Sequence, residues 1–311
     1  MLEERHLDEA RHTGGARGTA EGGTPATFVD RVAAAVSRSA PMCAGIDPSP
    51  ALLTGWGLPD SADGLLTFGL RCVEAFAGSV PVVKPQVAFF ERMGAAGIGA
   101  LESVMAAARE AGLLVIADAK RGDIGSTMEA YASAWLDPVS PLVADAVTVL
   151  PYLGIGALQP AFDLAAASGR GVIVVVRGSN PEGRTLQEAV TCLRADGGPG
   201  DGPSVEDALL GAIRDLNRRG PSAPGTIGAV VGATLEPSRF ELADLGGVIL
   251  APGVGAQGGT AEAAARLFAR CPRGTVLPSV SRGVLAAGPE VGALRRAARS
   301  VGEELSRAFG W

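Results

Sequence analysis

Leu113-Leu114-Val115-Ile116-Ala117-Asp118-Ala119-Lys120-Arg121-Gly122-Asp123 runs from an unbroken apolar stretch straight into a block of charge. Continuous apolar residues fit a strand covered on both faces, because a strand open to water on one face alternates. The charges then fall where that strand ends. Just beyond, Ser126-Thr127-Met128-Glu129 has the S-x-x-E spacing of a capping box, which opens a helix.

The same order recurs along the chain. Further apolar runs occupy Met42–Ile46, Val80–Val83, Ala146–Leu150, Val172–Val176, Ile227–Val231, Val248–Ala251 and Thr275–Val280. Segments that tolerate helix lie at Gly64–Ala77, Ala88–Ala111, Ser126–Trp135, Ile155–Ser168, Val205–Arg219, Pro237–Leu245, Ala261–Ala269 and Val291–Phe309. This alternation predicts an α/β protein, a single-domain (β/α)8 TIM barrel, with a doubly wound parallel sheet as the alternative. Residues 1–24 carry no periodic apolar positions and read as a disordered or extended tail, leaving 25–311 for the barrel. Gly197-Gly198-Pro199-Gly200-Asp201-Gly202-Pro203 breaks regular structure and reads as a surface loop within the fifth unit.

Composition narrows the chemistry. The 311 residues are 47% hydrophobic and 19% charged, with 44 glycines and a net charge of −6, which excludes collagen and wholesale disorder. The acidic balance offers no basic stripe for a nucleic acid. His6 and His12 both fall in the polar N-terminal segment, so no histidine is available for Ser-His or His-metal chemistry. Cys43, Cys72, Cys192 and Cys271 are scattered, which suggests neither a disulfide framework nor a metal site and fits a reducing, cytoplasmic setting. No apolar run is long enough to span a membrane, and Met1-Leu2-Glu3-Glu4-Arg5 is charged where an export signal is apolar.

The basic residues are more telling. There are 25 arginines and two lysines, Lys84 and Lys120, and both lysines stand at expected C-terminal strand ends, where barrel enzymes carry their chemistry. Arginine stays protonated, whereas a lysine can hand over its proton, so a lysine retained in such a chain points to proton donation. The plain alternative is that both are chance survivors of an arginine-rich composition. An extended backbone puts the side chains of Asp118 and Lys120 on the same side. At about 4 Å and an effective dielectric of about 20, each opposite-charge contact is worth about 4 kcal/mol, enough to hold the array ionised. Asp123 belongs either to that array or simply to the start of the next helix.

A second cluster, Ala251-Pro252-Gly253-Val254-Gly255-Ala256-Gln257-Gly258-Gly259-Thr260, follows the seventh strand, and Arg282 follows the eighth. Glycines and helix N-terminal amides suit a phosphate, and this is the usual phosphate position in the barrel. In a glycine-rich chain they also read as ordinary turn residues.

These residues resemble the orotidine 5′-phosphate decarboxylase family, in its longer bacterial subgroup, over about residues 40 to 285. The carrying motif is Asp118-x-Lys120-x-x-Asp123, supported by Gly45-Ile46-Asp47-Pro48, Val83-Lys84-Pro85-Gln86, Ser179-Asn180-Pro181 and the glycine loop. The resemblance implies metal-independent and cofactor-free conversion of orotidine 5′-phosphate to UMP and CO2 in pyrimidine biosynthesis. It further implies that Asp47 and Lys84 contact ribose hydroxyls, Asp118 faces the substrate carboxylate and Lys120 protonates C6. Asp123 would enter the neighbouring subunit's site in a homodimer, with Thr127 near its ribose. Ser179 would read the pyrimidine, and Gln257, Gly258 and Arg282 would hold the phosphate. The subgroup often has Thr-Ser-Asn-Pro-Gly where this chain has Arg177-Gly178-Ser179-Asn180-Pro181-Glu182-Gly183, a departure at the pyrimidine end. Magnesium-dependent sugar-phosphate decarboxylases and aldolases of the superfamily share the motif, but they resemble one another in an acidic ligand where this chain has Lys84, whose charge would repel the metal. A catalytically silent nucleotide-binding barrel is the remaining alternative; the intact set of lysines and aspartates speaks against it.

Overall fold

The computed structural model describes residues 26–191, 202–219, 224–235, 241–255 and 258–310. The N-terminal tail, Cys192, Gln257 and most of the 197–203 loop lie outside the described residues. Strands β1 (Cys43–Ile46), β2 (Val82–Pro85), β3 (Leu114–Arg121), β4 (Ala146–Val149), β5 (Gly171–Arg177), β6 (Ile227–Val231), β7 (Ile249–Pro252) and β8 (Val276–Val280) close into a barrel in chain order. Neighbouring strands pair in parallel, β8 returning to β1. Strands β1, β2, β4 and β6 are buried at every position, which is why their sequences do not alternate.

Helices α1 (Phe28–Ser37), α2 (Pro50–Gly55), α3 (Ala62–Phe76), α4 (Val87–Glu91), α5 (Gly94–Glu110), α6 (Gly125–Leu136) and α7 (Gln159–Ser168) cover the first half. Helices α8 (Arg184–Gln187), α9 (Val205–Arg219), α10 (Ala261–Leu267), α11 (Arg282–Leu285) and α12 (Val291–Phe309) cover the second.

Helix α1, which the sequence reading does not contain, closes the N-terminal mouth. Its buried residues Phe28, Val32 and Val36 recur at helical spacing and pack on Cys43, Val82, Ile116, Ala146 and Ile173 of the barrel lumen. Gly171 makes room for it, since a Cβ there would lie 2.3 Å from the Phe28 ring. Arg31 pairs with buried Asp145, whose other oxygen accepts the Val115 amide at 2.8 Å, so the helix is pinned by charge as well as by packing.

Several local expectations need correction. The helix expected at 88–111 is two, α4 and α5, parted where Gly94 takes φ +60°. The capping box at Ser126 does not form: α6 begins one residue earlier, its N-cap is Ile124 with no side-chain cap bond, and Ser126 already lies inside the first turn. Asp123 Oδ1 accepts the Ile124 amide instead, at 2.8 Å. Of the helix expected at 237–245, residues 236–240 lie outside the described set, and 241–245 form a turn that buries Leu242 and Leu245. Strand β3 runs on past Ala117 to Arg121, so the motif's first charges stand within the strand end rather than after it.

Candidate active site

At the C-terminal mouth, β1, β2, β3, β4 and β8 bring their ends together around Asp118. This carboxylate is 8% exposed and fully engaged. Oδ2 accepts from Lys84 Nζ and Gln86 Nε2, each at 2.8 Å; Oδ1 accepts from Lys120 Nζ at 2.6 Å and Thr148 Oγ1 at 3.0 Å. Burial alone would raise the Asp118 pKa, but the two ammonium groups more than reverse this and hold it well below the usual carboxylate range. Burial likewise works against the charge on Lys84, and Asp118 with Asp47 overcomes it, raising that ammonium's pKa above the ordinary lysine value. Cys43 is buried close by; burial pushes its thiol up to about 12, so it packs as a neutral group.

Asp118 and Lys120 converge, but not because the backbone is extended. Lys120 has φ +49°, the one positive φ outside glycine among the described residues. A side-chain-bearing residue there costs roughly 1–2 kcal/mol, so surrounding structure must impose it. Lys120 is more exposed than Lys84, with 45% of its side chain open against 9%. One lysine is therefore locked in the wall and the other reaches into the mouth.

Asp47 follows β1. Its Oδ2 accepts from Ser281 Oγ at 2.5 Å, an approach that Gly45 permits, since a Cβ there would lie 2.7 Å from that of Ser281. Asp47 Oδ1 is buried without a hydrogen-bond partner among the described residues. A carboxylate oxygen left so is costly unless a ligand donor meets it.

These side chains line a cavity of about 360 Å³ together with Ser179, Asn180, Gln187, Gly253, Ser281 and Arg282. Val175, Val230 and Leu250 give it an apolar floor. Arg282 is exposed and, among the described residues, pairs with no carboxylate. Beside it, Gly253 (φ +108°), Gly255 (φ +79°) and Gly258 (φ +90°) turn the β7 loop through conformations that side chains resist. A cleft lined by a buried ion cluster, an exposed arginine, the start of a glycine loop and apolar side chains fits an anionic ligand with an apolar face.

The structure thus gathers Asp47, Lys84, Asp118, Lys120, Ser179 and Arg282, with Gly258 in the adjoining loop. Gln257 lies outside the described residues. Asp123 and Thr127 do not line this cavity; they stand at the β3–α6 junction, Thr127 exposed. The sequence reading assigns no role to Gln86 and Thr148, which donate to Asp118, or to Ser281, which donates to Asp47 Oδ2. Only Gln86 carried a signal, its place directly after Lys84-Pro85; nothing in a lone Thr or Ser announces such a contact.

The family model described as "Orotidine 5'-phosphate decarboxylase / HUMPS family" matches residues 41–297. The chain belongs to that family. A Salinispora tropica relative named orotidine 5′-phosphate decarboxylase is 51% identical over 275 residues, covering 88% of this chain and 95% of the relative. One of the same name from Corynebacterium glutamicum is 49% identical over 272 residues, covering 86% and 94%. Among solved structures, a Streptomyces avermitilis chain assigned to the same activity superposes with a TM-score of 0.85 at 46% identity, covering 95% of this chain and all, 100%, of that one. The Leishmania donovani OMP decarboxylase gives 0.68 at 29%, covering 92% and 100%.

Among the described residues no helix is long and apolar enough to cross a membrane, and no group of three or more His, Cys, Asp or Glu is placed to hold a metal ion.

Proposed function

We propose that this chain decarboxylates orotidine 5′-phosphate to UMP and CO2, a step of pyrimidine biosynthesis, without a metal and with Lys120 as the proton donor. The observation that carries this reading is Asp118 clamped between two ammonium groups in a cleft that Arg282 and Gly253 of the glycine loop also line.

The pyrimidine lies on the apolar floor with its polar edge toward Ser179, and Asp47 with Lys84 takes the ribose hydroxyls, one of which donates to Asp47 Oδ1. The phosphate sits between Arg282 and the amides of the loop containing Gln257 and Gly258. This pose sets the substrate carboxylate against Asp118, a fixed negative charge that opposes the bound carboxylate and ceases to do so as neutral CO2 leaves. When the C6–carboxylate bond breaks, its electron pair stays at C6 in the ring plane, where no resonance spreads it. The Lys120 ammonium stabilises that pair and then transfers a proton to it, giving UMP; the resulting amine recovers its proton from water. Accelerations of this class require up to about 23 kcal/mol, several times any single contact, so binding energy from phosphate and ribose must be drawn into the transition state.

Lys84 also speaks for metal-independent chemistry. Its ammonium sits within 2.8 Å of Asp118, where a divalent ion would otherwise find its carboxylate ligand.

The same reading makes the site a shared one in a homodimer, with Asp123 and Thr127 serving the neighbouring subunit. Exposed apolar residues follow the ends of β3 and β4: Ile124, next to Asp123, is 60% exposed, and after β4 Leu150, Tyr152 (78%) and Leu153 are exposed as well, apolar surface suited to a second copy. Free Cys43, Cys72 and Cys271 suit a reducing cytoplasm.

The direct test follows the ultraviolet absorbance of orotidine 5′-phosphate with the purified chain: loss of substrate with matching UMP is expected, and no turnover would overturn the reading. Mixing Lys120→Ala with Asp123→Ala chains tests the sharing. Partial recovery of activity is expected, and none after proven subunit exchange would refute it.

A further inference from the structure

The pairing of β3 with β4 contains an irregularity centred on the motif. Ala117 pairs with Val147 and Arg121 with Val149, so Asp118, Ala119 and Lys120 all stand opposite the single residue Thr148. Such a bulge leaves backbone groups without ladder partners and re-aims the side chains it contains. Thr148 is 1% exposed, and its hydroxyl fills the gap from both sides. It accepts the Lys120 amide at 3.0 Å and donates to Asp118 Oδ1 at 3.0 Å. The ladder closes again immediately after, with the Leu150 amide donating to the Arg121 carbonyl at 2.7 Å. One hydroxyl therefore binds the backbone of the residue with φ +49° and the carboxylate that its ammonium touches.

We infer that Thr148 is a positioning residue for the reaction: its hydroxyl holds the Lys120 backbone in the left-handed conformation and fixes the Asp118 carboxylate, so that the Lys120 ammonium is aimed at the reacting carbon. The inference rests on the decarboxylation reading above. A hydroxyl is needed because one atom must act as donor and acceptor at once; the methyl group of valine has the same shape but neither capacity. Without it Lys120 keeps its charge but loses its aim, and a misplacement of this kind lowers the rate of the chemical step more than it weakens binding.

The test compares Thr148→Val and Thr148→Ser with the unaltered chain, measuring kcat, KM for orotidine 5′-phosphate and affinity for UMP. Thr148→Val is expected to lose roughly 100-fold in kcat while KM and UMP affinity move by less than about threefold. Thr148→Ser, which keeps the hydroxyl, is expected to stay within about fivefold of the unaltered kcat. A Thr148→Val chain with unaltered kcat, or equal losses in the Val and Ser variants, would overturn the inference. Should Thr148→Val fail to fold, Thr148→Ala against Thr148→Ser differs only by the hydroxyl and gives the same comparison. Lys120→Ala run alongside separates the two levels. If it turns over normally, the decarboxylation reading of Lys120 falls; if it is inactive while Thr148→Val is normal, only the role of Thr148 falls.

Discussion

The two mouths of this barrel are closed by opposite means. At the N-terminal mouth Phe28, Val32 and Val36 of α1 plug the lumen with apolar groups, and its buried carboxylate, Asp145, is satisfied by Arg31 and the Val115 amide. At the C-terminal mouth the lumen ends in Lys84, Asp118 and Lys120, and Asp47 keeps an oxygen without a partner. The first mouth is complete in itself. The second has unmet hydrogen-bonding capacity, a strained lysine and an exposed arginine, which is what a surface built to be completed by a ligand looks like. The apolar plug thus lies at one end of the lumen and the proposed chemistry at the other.

Substitutions should respect that division. The largest effect on stability is expected at the closed end: Phe28→Ala opens a cavity beneath β5 and should cost about 3–5 kcal/mol in denaturant unfolding. The turnover of its folded fraction should be unchanged. A catalytic loss exceeding the loss of folded protein would break the comparison. A smaller effect is expected from the open end. Because Lys84 and Lys120 hold the Asp118 pKa below the ordinary range, the stability this contributes is present above that range and is lost as pH falls toward the depressed folded value. Asp118→Asn should therefore flatten the fall of stability below about pH 4. An unaltered acid limb in a pH series of unfolding curves would show that Asp118 carries no such linkage.

The difference between the mouths also explains what could be read in advance. The barrel and the cation positions were legible because continuous apolar runs and two lysines among 25 arginines are unusual patterns with a physical cause. Helix α1 escaped because Phe28, Val32 and Val36 are an ordinary helical stripe whose partners lie far along the chain. The Ser126 capping box misled because spacing alone does not say at which residue the chain enters the helix, and Gly125 with φ +53° begins it one residue early. The bulge at Lys120 escaped for a related reason. Alternation along a strand assumes regular pairing, and Thr148, whose hydroxyl bridges the bulge, belongs to another strand.

The most direct measurement is the rate of orotidine 5′-phosphate loss catalysed by Lys120→Ala, with UMP binding determined on the same preparation. A fall on the order of 10⁴-fold in kcat with UMP binding retained is expected if Lys120 supplies the proton and the charge that stabilises C6. Turnover near that of the unaltered chain would contradict the assignment of the open mouth as the place where the bond is broken.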